Sequence, residues 1–429
     1  MKIHIHTLGC KVNQYESQAM EVILRSRGHE ICGEGGGCDA VIINTCAVTG
    51  ESGRKSRQAI RRLKAENPDA VCAVCGCYSQ ISPDDITALG ADIVFGSGDR
   101  LEFLDALERA FNDRRPLKNI DNPMKRRTFE VLPSGNIGTR TRAALKIEDG
   151  CSNFCSYCVI PYARGPVRSL LIADIEEQAQ KLQNDGYGEI IITGIEIASY
   201  GKDFGIGIGL ADAVEAVHRA APDARLRLGS LEARVITENF VSRLKNLGCV
   251  CPHFHLSLQS GCDKTLKAMN RKYDTAQFYE AVTLLRRYFP DCALTADLIA
   301  GFPGETREDF DDTLLFIRKC GFSAMHIFPY SVRPGTPAEK MPMQLSRREK
   351  EERAALAART AAEMQREYLN RQVGRTLSVL FETEHDGQWQ GHSENYLEVR
   401  SNGENLRGAV RNVKIKSVFG TSLYGVIEE

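Results

Sequence analysis

The sequence predicts an α/β protein in three parts. Residues 1–112 form a domain around a parallel sheet, 136–370 hold a partial (β/α)6 barrel, and 371–429 fold as a small all-β barrel, with a basic linker at 113–135. Three observations lead there. Apolar strands alternate with amphipathic helices as far as about residue 345, which implies parallel sheets with right-handed crossovers. Cysteines recur just after successive strands. From about Gly374 the pattern changes to short strands parted by Gly, Asn and Asp. A chain of 429 residues is also too long for one ordinary core.

In the first part, 2–7, 40–44, 71–74 and 92–95 read as strands, and 14–27, 51–66 and 99–111 as helices. Cys10 follows the first strand, Cys46 the second and Cys77 the third. A parallel sheet aligns the carboxyl ends of its strands along one edge, where open α/β sheets bind ligands. Three convergent thiolates there make an iron–sulfur ligand set. Taken singly, each cysteine reads as an inert buried residue. Cys75 is a competing ligand, because positions 75 and 77 would share a face if the strand continued.

The second part opens with a strand at 143–147 that leads into Cys151-Ser-Asn-Phe-Cys155-Ser-Tyr-Cys158. The C-x3-C-x2-C spacing offers three thiolates, and no cysteine or histidine follows closely to complete a zinc tetrahedron. Three thiolates suit an iron–sulfur cluster with one iron left open for something other than protein. Further strands at 189–193, 225–228, 253–257, 294–299 and 324–328 alternate with helices at 173–185, 210–220, 237–246, 274–288 and 306–319. Chemistry in such barrels sits at the carboxyl ends of the strands. Those ends carry Gly194-Ile195-Glu196, Ser230 with Glu232, Gln259, and Gly301 in a Gly-Phe-Pro-Gly turn. Thr306 either caps the next helix or joins this site.

A charged helix at 346–370 precedes strands at 376–382, 396–400, 409–416 and 424–427. Small barrels of this kind bind oligonucleotides or act as structural caps, and Arg400, Arg407, Arg411, Lys414 and Lys416 are the candidate contacts. The formal net charge of −1 excludes a global nucleic-acid signature, so any basic surface is local. No run is apolar enough to span a membrane and the start lacks a signal-peptide core, so a cytoplasmic protein without membrane partners is expected. In a reducing compartment the 15 cysteines do not read as disulfides.

The C-x3-C-x2-C strand resembles the radical S-adenosylmethionine (SAM) superfamily, in which three cysteines hold a 4Fe–4S cluster whose unique iron chelates SAM. Tyr157 stands where that superfamily has an aromatic residue beside the adenine, and 194–196 where it contacts the SAM amino group. With both cysteine triads and the β tail, nearly the whole chain resembles the methylthiotransferases. That family joins an N-terminal cluster-binding domain, a radical SAM domain and an RNA-binding TRAM domain. Thr7-Leu-Gly-Cys-Lys-Val-Asn-Gln-Tyr-Glu-Ser17 and Cys158-Val-Ile-Pro-Tyr-Ala-Arg-Gly-Pro-Val-Arg-Ser169 look most like the branch that methylthiolates C2 of N6-threonylcarbamoyladenosine at position 37 of tRNA. Other branches modify isopentenyladenosine in tRNA or an aspartate of a ribosomal protein. A non-catalytic iron–sulfur RNA-binding sensor would not need the strand-end SAM motifs.

The resemblance implies two 4Fe–4S clusters, on Cys10, Cys46 and Cys77 and on Cys151, Cys155 and Cys158. It implies SAM both as methyl donor and as source of a 5′-deoxyadenosyl radical. Its implied partners are a tRNA anticodon stem-loop, an electron donor such as flavodoxin or ferredoxin, and a sulfur donor. The cofactor contacts it suggests are Tyr157, Gly194, Ile195, Glu196, Ser230, Glu232, Gln259 and Gly301. Asn13, Arg164 and Arg168 are the candidate substrate contacts, the two arginines for the carboxylate of the threonylcarbamoyl group. The chain departs from the family at Ser169-Leu170, where Ser-Arg is common, and at Cys75.

Overall fold

The computed structural model describes residues 1–33, 37–135 and 141–428, so the predicted barrel boundary at 136 lies outside the described residues. Alternating strands and helices produce an N-terminal sheet of six parallel strands. Its centre is the fully buried pair Ala40–Thr45 and Val71–Gly76. Continuous apolar runs of this kind are what a sheet covered on both faces requires. Two edge strands, Glu30–Cys32 and Leu117–Asn119, were not foreseen; they are short and largely exposed, so they carry almost no apolar pattern. The Lys11–Ser26 helix buries Val12, Tyr15, Ala19, Met20 and Leu24, the three- and four-residue spacing of one helical face.

The second part contains six parallel strand positions in chain order, as expected. The third is divided at Gly229. Arg225–Leu228 pairs with Glu189–Thr193 on one side, and Ser230–Leu231 pairs with His253–Gln259 on the other. The barrel wall is therefore two sheets that meet at one glycine. Side chains that point outward, such as Phe254, Leu256, Leu294 and Ala296, enter the largest apolar core under the helices. Their neighbours His253, His255, Thr295 and Asp297 line the interior cavity. A helix that the sequence reading missed, Asp263–Ala268, sits beside the cysteine loop. Thr306 caps the Arg307–Cys320 helix in a capping box with Asp309.

The C-terminal strands close into a five-stranded barrel rather than the four strands expected. The added strand, Gln388–Ser393, has Trp389 as its one large apolar side chain, too little pattern to read. It forms a hairpin with Thr376–His385 across Asp386-Gly387, both in the left-handed region that tight hairpin turns require. This small barrel sits against the floor of the large one. Arg225 donates to Ser378 O and His392 O at 3.1 and 2.9 Å, and Arg227 to Glu394 O and Ser393 O at 3.0 and 3.1 Å. Buried Glu189 pairs with both arginines, at 2.5 and 2.8 Å. Burial would raise its pKa, but Arg227 and Arg225 bring it down to about 2.

Candidate active site between two cysteine triads

The N-terminal triad is assembled by turns that need glycine. Gly9 has φ +104°, and a Cβ there would lie 2.6 Å from both Cβ and Sγ of Cys46. Gly76 has φ +103°, and its Cβ would strike Thr45 O and Asn44 Oδ1. Side chains are therefore excluded where the three strand-end loops converge. Cys10 is exposed at the start of its helix, while Cys46 and Cys77 are buried. Surrounding protein raises the pKa of all three thiols by desolvation, Cys10 included although its residue opens on the cavity, and each feels a neighbouring cysteine of the set. Cys75 points elsewhere: the strand ends at Gly76, and Cys75 packs among Ile3, Ala73 and Phe95. Cys77 instead accepts a hydrogen bond from Arg164 Nε at 3.2 Å.

Arg164 ends a short helix just beyond Cys158 and is completely buried. Its guanidinium donates to Asn13 Oδ1 at 2.9 Å, to both oxygens of Glu16, and to Asp149 at 3.4 Å. Glu16 also meets Arg100 at 2.8 Å and Lys146 at 3.1 Å, and Lys146 meets Asp149 at 2.8 Å. Burial pushes the Glu16 and Asp149 pKa values up, yet the surrounding Arg164, Arg100, Lys146 and Arg168 hold both well below the ordinary range. Four bases face two acids here, and the surplus positive charge suits thiolates at Cys77 and its partners.

These placements alter the substrate reading. Every N–H of Arg164 is turned to a protein partner. Arg168 donates to Arg164 O and Pro166 O at 3.0 and 2.6 Å and lies 3.4 Å from Asp149. Asn13 is fully buried and donates to Leu8 O and Thr45 O at 2.8 and 2.9 Å, tying the Cys10 and Cys46 loops together. The donors of Asn13 and Arg164 are taken by internal acids, carbonyls and Cys77, and Arg168 directs Nη1 and Nη2 to carbonyls and Asp149.

The second triad sits on a loop anchored from outside. Ser156 N donates to Met269 O at 3.0 Å, Ser156 Oγ to Ala268 O at 2.8 Å, and Asn270 Nδ2 to Phe154 O at 2.9 Å. Phe154 takes a left-handed conformation, φ +49°, within it. Donors converge on the sulfurs: Arg271 Nη1 lies 3.2 Å from Cys155 Sγ and Ile160 N lies 3.4 Å from Cys158 Sγ. Burial raises Cys151 and takes Cys158 up to about 12. Protein donors aimed at buried sulfurs fit thiolate ligands of a cluster.

Beside this loop, Glu148 Oε2 accepts from Glu196 N at 2.7 Å, while Glu148 Oε1 and Glu196 Oε1 are buried with no hydrogen-bond partner among the described residues. Burial raises Glu148 far above its ordinary value. Burial and then Glu232 bring Glu196 to about 7. Two orphaned carboxyl oxygens at Gly194–Glu196 suit a cationic amino group, as SAM carries. Glu232 is joined to Glu196 through Asn153, whose Nδ2 lies 3.3 and 3.4 Å from the two carboxylates. Tyr157 packs edge-on to Phe302, with ring centres 6.5 Å apart. Gln259 ends its strand in the left-handed region, φ +68°. Gly301 packs against Lys350 of the long helix and donates to Glu305. Ser230 is exposed in the cavity wall.

That cavity, about 850 Å³, joins Cys10, Cys46 and Cys77 to Gly194, Ile195 and the histidine-rich barrel interior. Arg333, from the segment after the sixth strand, donates to Ala47 O beside Cys46; its buried Nε has no partner among the described residues, and it feels both Cys46 and Cys158. Sequence reasoning missed Glu16, Lys146, Glu148, Arg271 and Arg333. Lys146, Glu148 and Asp149 did carry a signal, as charges placed where a strand should be buried.

Two family descriptions match the chain: the radical SAM superfamily over residues 145–317 and uncharacterized protein family UPF0004 over 2–96. A threonylcarbamoyladenosine tRNA methylthiotransferase MtaB of Bacillus subtilis is 39% identical over 96% of this chain and 93% of its own. The protein of the same name from Thermotoga maritima is 35% identical over 97% and 94%. A tRNA-2-methylthio-N(6)-dimethylallyladenosine synthase of Alkaliphilus oremlandii is 33% identical over 100% and 93%. Among solved structures, the radical SAM methyltransferase TsrM of Kitasatospora setae superposes with TM-score 0.55 at 15% identity, over 79% of this chain and 77% of that one, a likeness of fold.

Proposed function

This chain belongs to the radical SAM tRNA methylthiotransferases, and from that premise we propose that it methylthiolates C2 of N6-threonylcarbamoyladenosine at position 37 of tRNA. The observation that carries the reading is a three-cysteine set, Cys10, Cys46 and Cys77, opening on a cavity that reaches the barrel strand end at Gly194–Ile195. Arg164, six residues beyond the second set, is hydrogen-bonded to Cys77, and the chain is similar over nearly its whole length to enzymes named for that substrate. The radical SAM fold calls for a 4Fe–4S cluster and SAM. In our reading Cys151, Cys155 and Cys158 hold that cluster, and Cys10, Cys46 and Cys77 hold a second. When bound, the clusters and SAM supply the radical and the methylthio group.

The chain's own residues do the rest. Arg271 and Ile160 N–H stabilise the sulfurs of one triad, and Arg164 that of Cys77. Glu148 and Glu196 accept the amino group of SAM through their free oxygens. The cavity walls keep water from the reacting carbon while the base, turned out of the anticodon loop, occupies the space between the triads. A second hollow, of about 1030 Å³, is lined by Arg126 and Arg127 of the linker with Lys202, Arg234 and Lys272, and it reaches Asn153 of the cluster loop. It is our candidate groove for anticodon-loop phosphates. Arg407, Arg411 and Lys416 are exposed on the C-terminal barrel, and Arg400 lies over the exposed ring of Phe419 at 5.5 Å, a surface on which RNA bases stack. An electron donor such as flavodoxin or ferredoxin, a sulfur donor and a cytoplasmic setting complete the proposal.

The experiment is mass analysis of tRNA nucleosides from cells lacking this chain. Loss of the 2-methylthio derivative of threonylcarbamoyladenosine, with the unthiolated nucleoside accumulating, is expected. Loss of the isopentenyl derivative instead would move the chain to the branch of the Alkaliphilus relative.

A further inference from the structure

Arg164 is held by internal acids and Arg168 mainly by backbone carbonyls, and the cavity offers another place for the N6 substituent. The cavity has a second polar group besides the thiols. This group is formed by His255, Asp297 and His326, one from each of three successive barrel strands. Asp297 and His326 are register partners, so their side chains rise from the same face. His255 is already engaged, with Nε2 3.2 Å from Asp297 Oδ2 and Nδ1 2.9 Å from Thr295 Oγ1. His326 is exposed to the cavity and, among the described residues, makes no hydrogen bond; its ring centre stands 5.8 Å from that of His255. His253, just beneath, is 5% exposed, and its Nδ1 has no hydrogen-bond partner among the described residues. Lys11, beside Cys10, also lines the cavity, with Nζ 5.7 Å from the ring centre of Tyr396.

We propose that His326, backed by the His255–Asp297 pair and His253, forms a subsite for the carboxylate-bearing N6 substituent of the modified adenosine, with His326 donating to the carboxylate. The inference rests on the tRNA base substrate proposed above and adds how that substrate is told apart. In adenine, N1 separates C2 from the carbon that bears N6. A base whose C2 faces the triads therefore sends its N6 substituent away from them, along the cavity towards the histidines. The threonylcarbamoyl group brings an acid, a hydroxyl and amide N–H groups. His326 meets the acid, and Asp297 and His253 Nδ1 are acceptors for the donors. An isopentenyl group fills the same space but offers no polar partner. It would displace water from these groups and leave them unpaired, which is the costly case.

The test uses the full chain with both clusters loaded and measures binding of anticodon stem-loop RNA carrying threonylcarbamoyladenosine or plain adenosine at the same position. The wild-type protein is expected to prefer the modified RNA, and His326→Phe to cut the ratio of the two affinities about tenfold or more, since a hydrogen bond to a charged group is lost. His326→Asn, which restores a donor, is expected to recover part of the ratio. A merely structural fault would weaken both RNAs alike and leave the ratio standing. An unchanged ratio in His326→Phe would overturn the subsite while leaving the proposed substrate intact. A wild-type protein that modifies only isopentenyladenosine would overturn both. A zinc or manganese ion bound to the wild-type protein and lost from His326→Phe would overturn the subsite by making the cluster a metal centre.

Discussion

Glu16 shows how much of this site depends on single buried groups. Its carboxylate is shared by Arg100, Lys146 and Arg164, all fully buried. Glu16→Gln leaves three cations short of an anion, and a loss of about 3–5 kcal/mol is expected in urea unfolding. The pH dependence has a definite sign. Glu16 is held below its ordinary value near 4.5, so its stabilisation is present above that pH and fades as the pH falls below it. The acid limb of the stability curve should be shallower in Glu16→Gln. Glu196 behaves oppositely, because burial and Glu232 raise it to about 7. If its ionised form holds the SAM amino group, affinity for S-adenosylhomocysteine should rise as the pH passes through about 7, and Glu196→Gln should flatten that rise in calorimetry. At this scale Cys151, Cys155 and Cys158 stand out by their spacing, and Cys10, Cys46 and Cys77 by their places after successive strands. The arginines were not legible, because a sequence shows that a guanidinium is present but not which acids occupy it.

At the scale of elements, the strand ends determine the outcome. Gly76→Ala places a Cβ against Thr45 O at a backbone angle that only glycine adopts easily. The strand-end loop must shift, and Cys77 with it. Iron analysis of the reconstituted variant should show loss at the N-terminal triad and retention at the other. The reciprocal change, Cys151, Cys155 and Cys158 all to Ala, should reduce about eight irons per chain to about four and leave one paramagnetic signal. The long strands and helices of both α/β parts could be read from their apolar periods. The short edge strands and Gln388–Ser393 could not, since they bury little. Asp386-Gly387 did signal a hairpin turn, and with it the missing strand. The Asp263–Ala268 helix escaped because six residues span too few turns to show a period.

The whole molecule is held together by polar seams as well as by its separate cores. Arg225 and Arg227 hydrogen-bond the backbone of the small barrel while sharing Glu189. Truncation after Asn370 is therefore expected to do two things. It should weaken tRNA binding and reduce its salt dependence, as the exposed basic residues leave. It should also lower the melting temperature of what remains, because the barrel floor loses its cover. Unchanged tRNA affinity in the truncated chain would reduce the small barrel to a structural cap. The three-part organisation was legible in the change of period near Gly374. The contact between parts was not, because Tyr396, stacked between His253 and His392 at 4.8 and 4.9 Å, belongs to a seam that no local pattern announces.

The bond from Arg164 to Cys77 crosses 87 residues of chain. A ribosome making about 5–20 residues per second exposes Cys77, the last of the three N-terminal thiols, roughly 4–17 s before Arg164 emerges. During that interval the N-terminal sheet can fold, but its thiol site lacks both its counter-charge and the Arg333 wall. Synthesis thus makes the N-terminal triad first and supplies Arg333, part of its surroundings, only after the second triad.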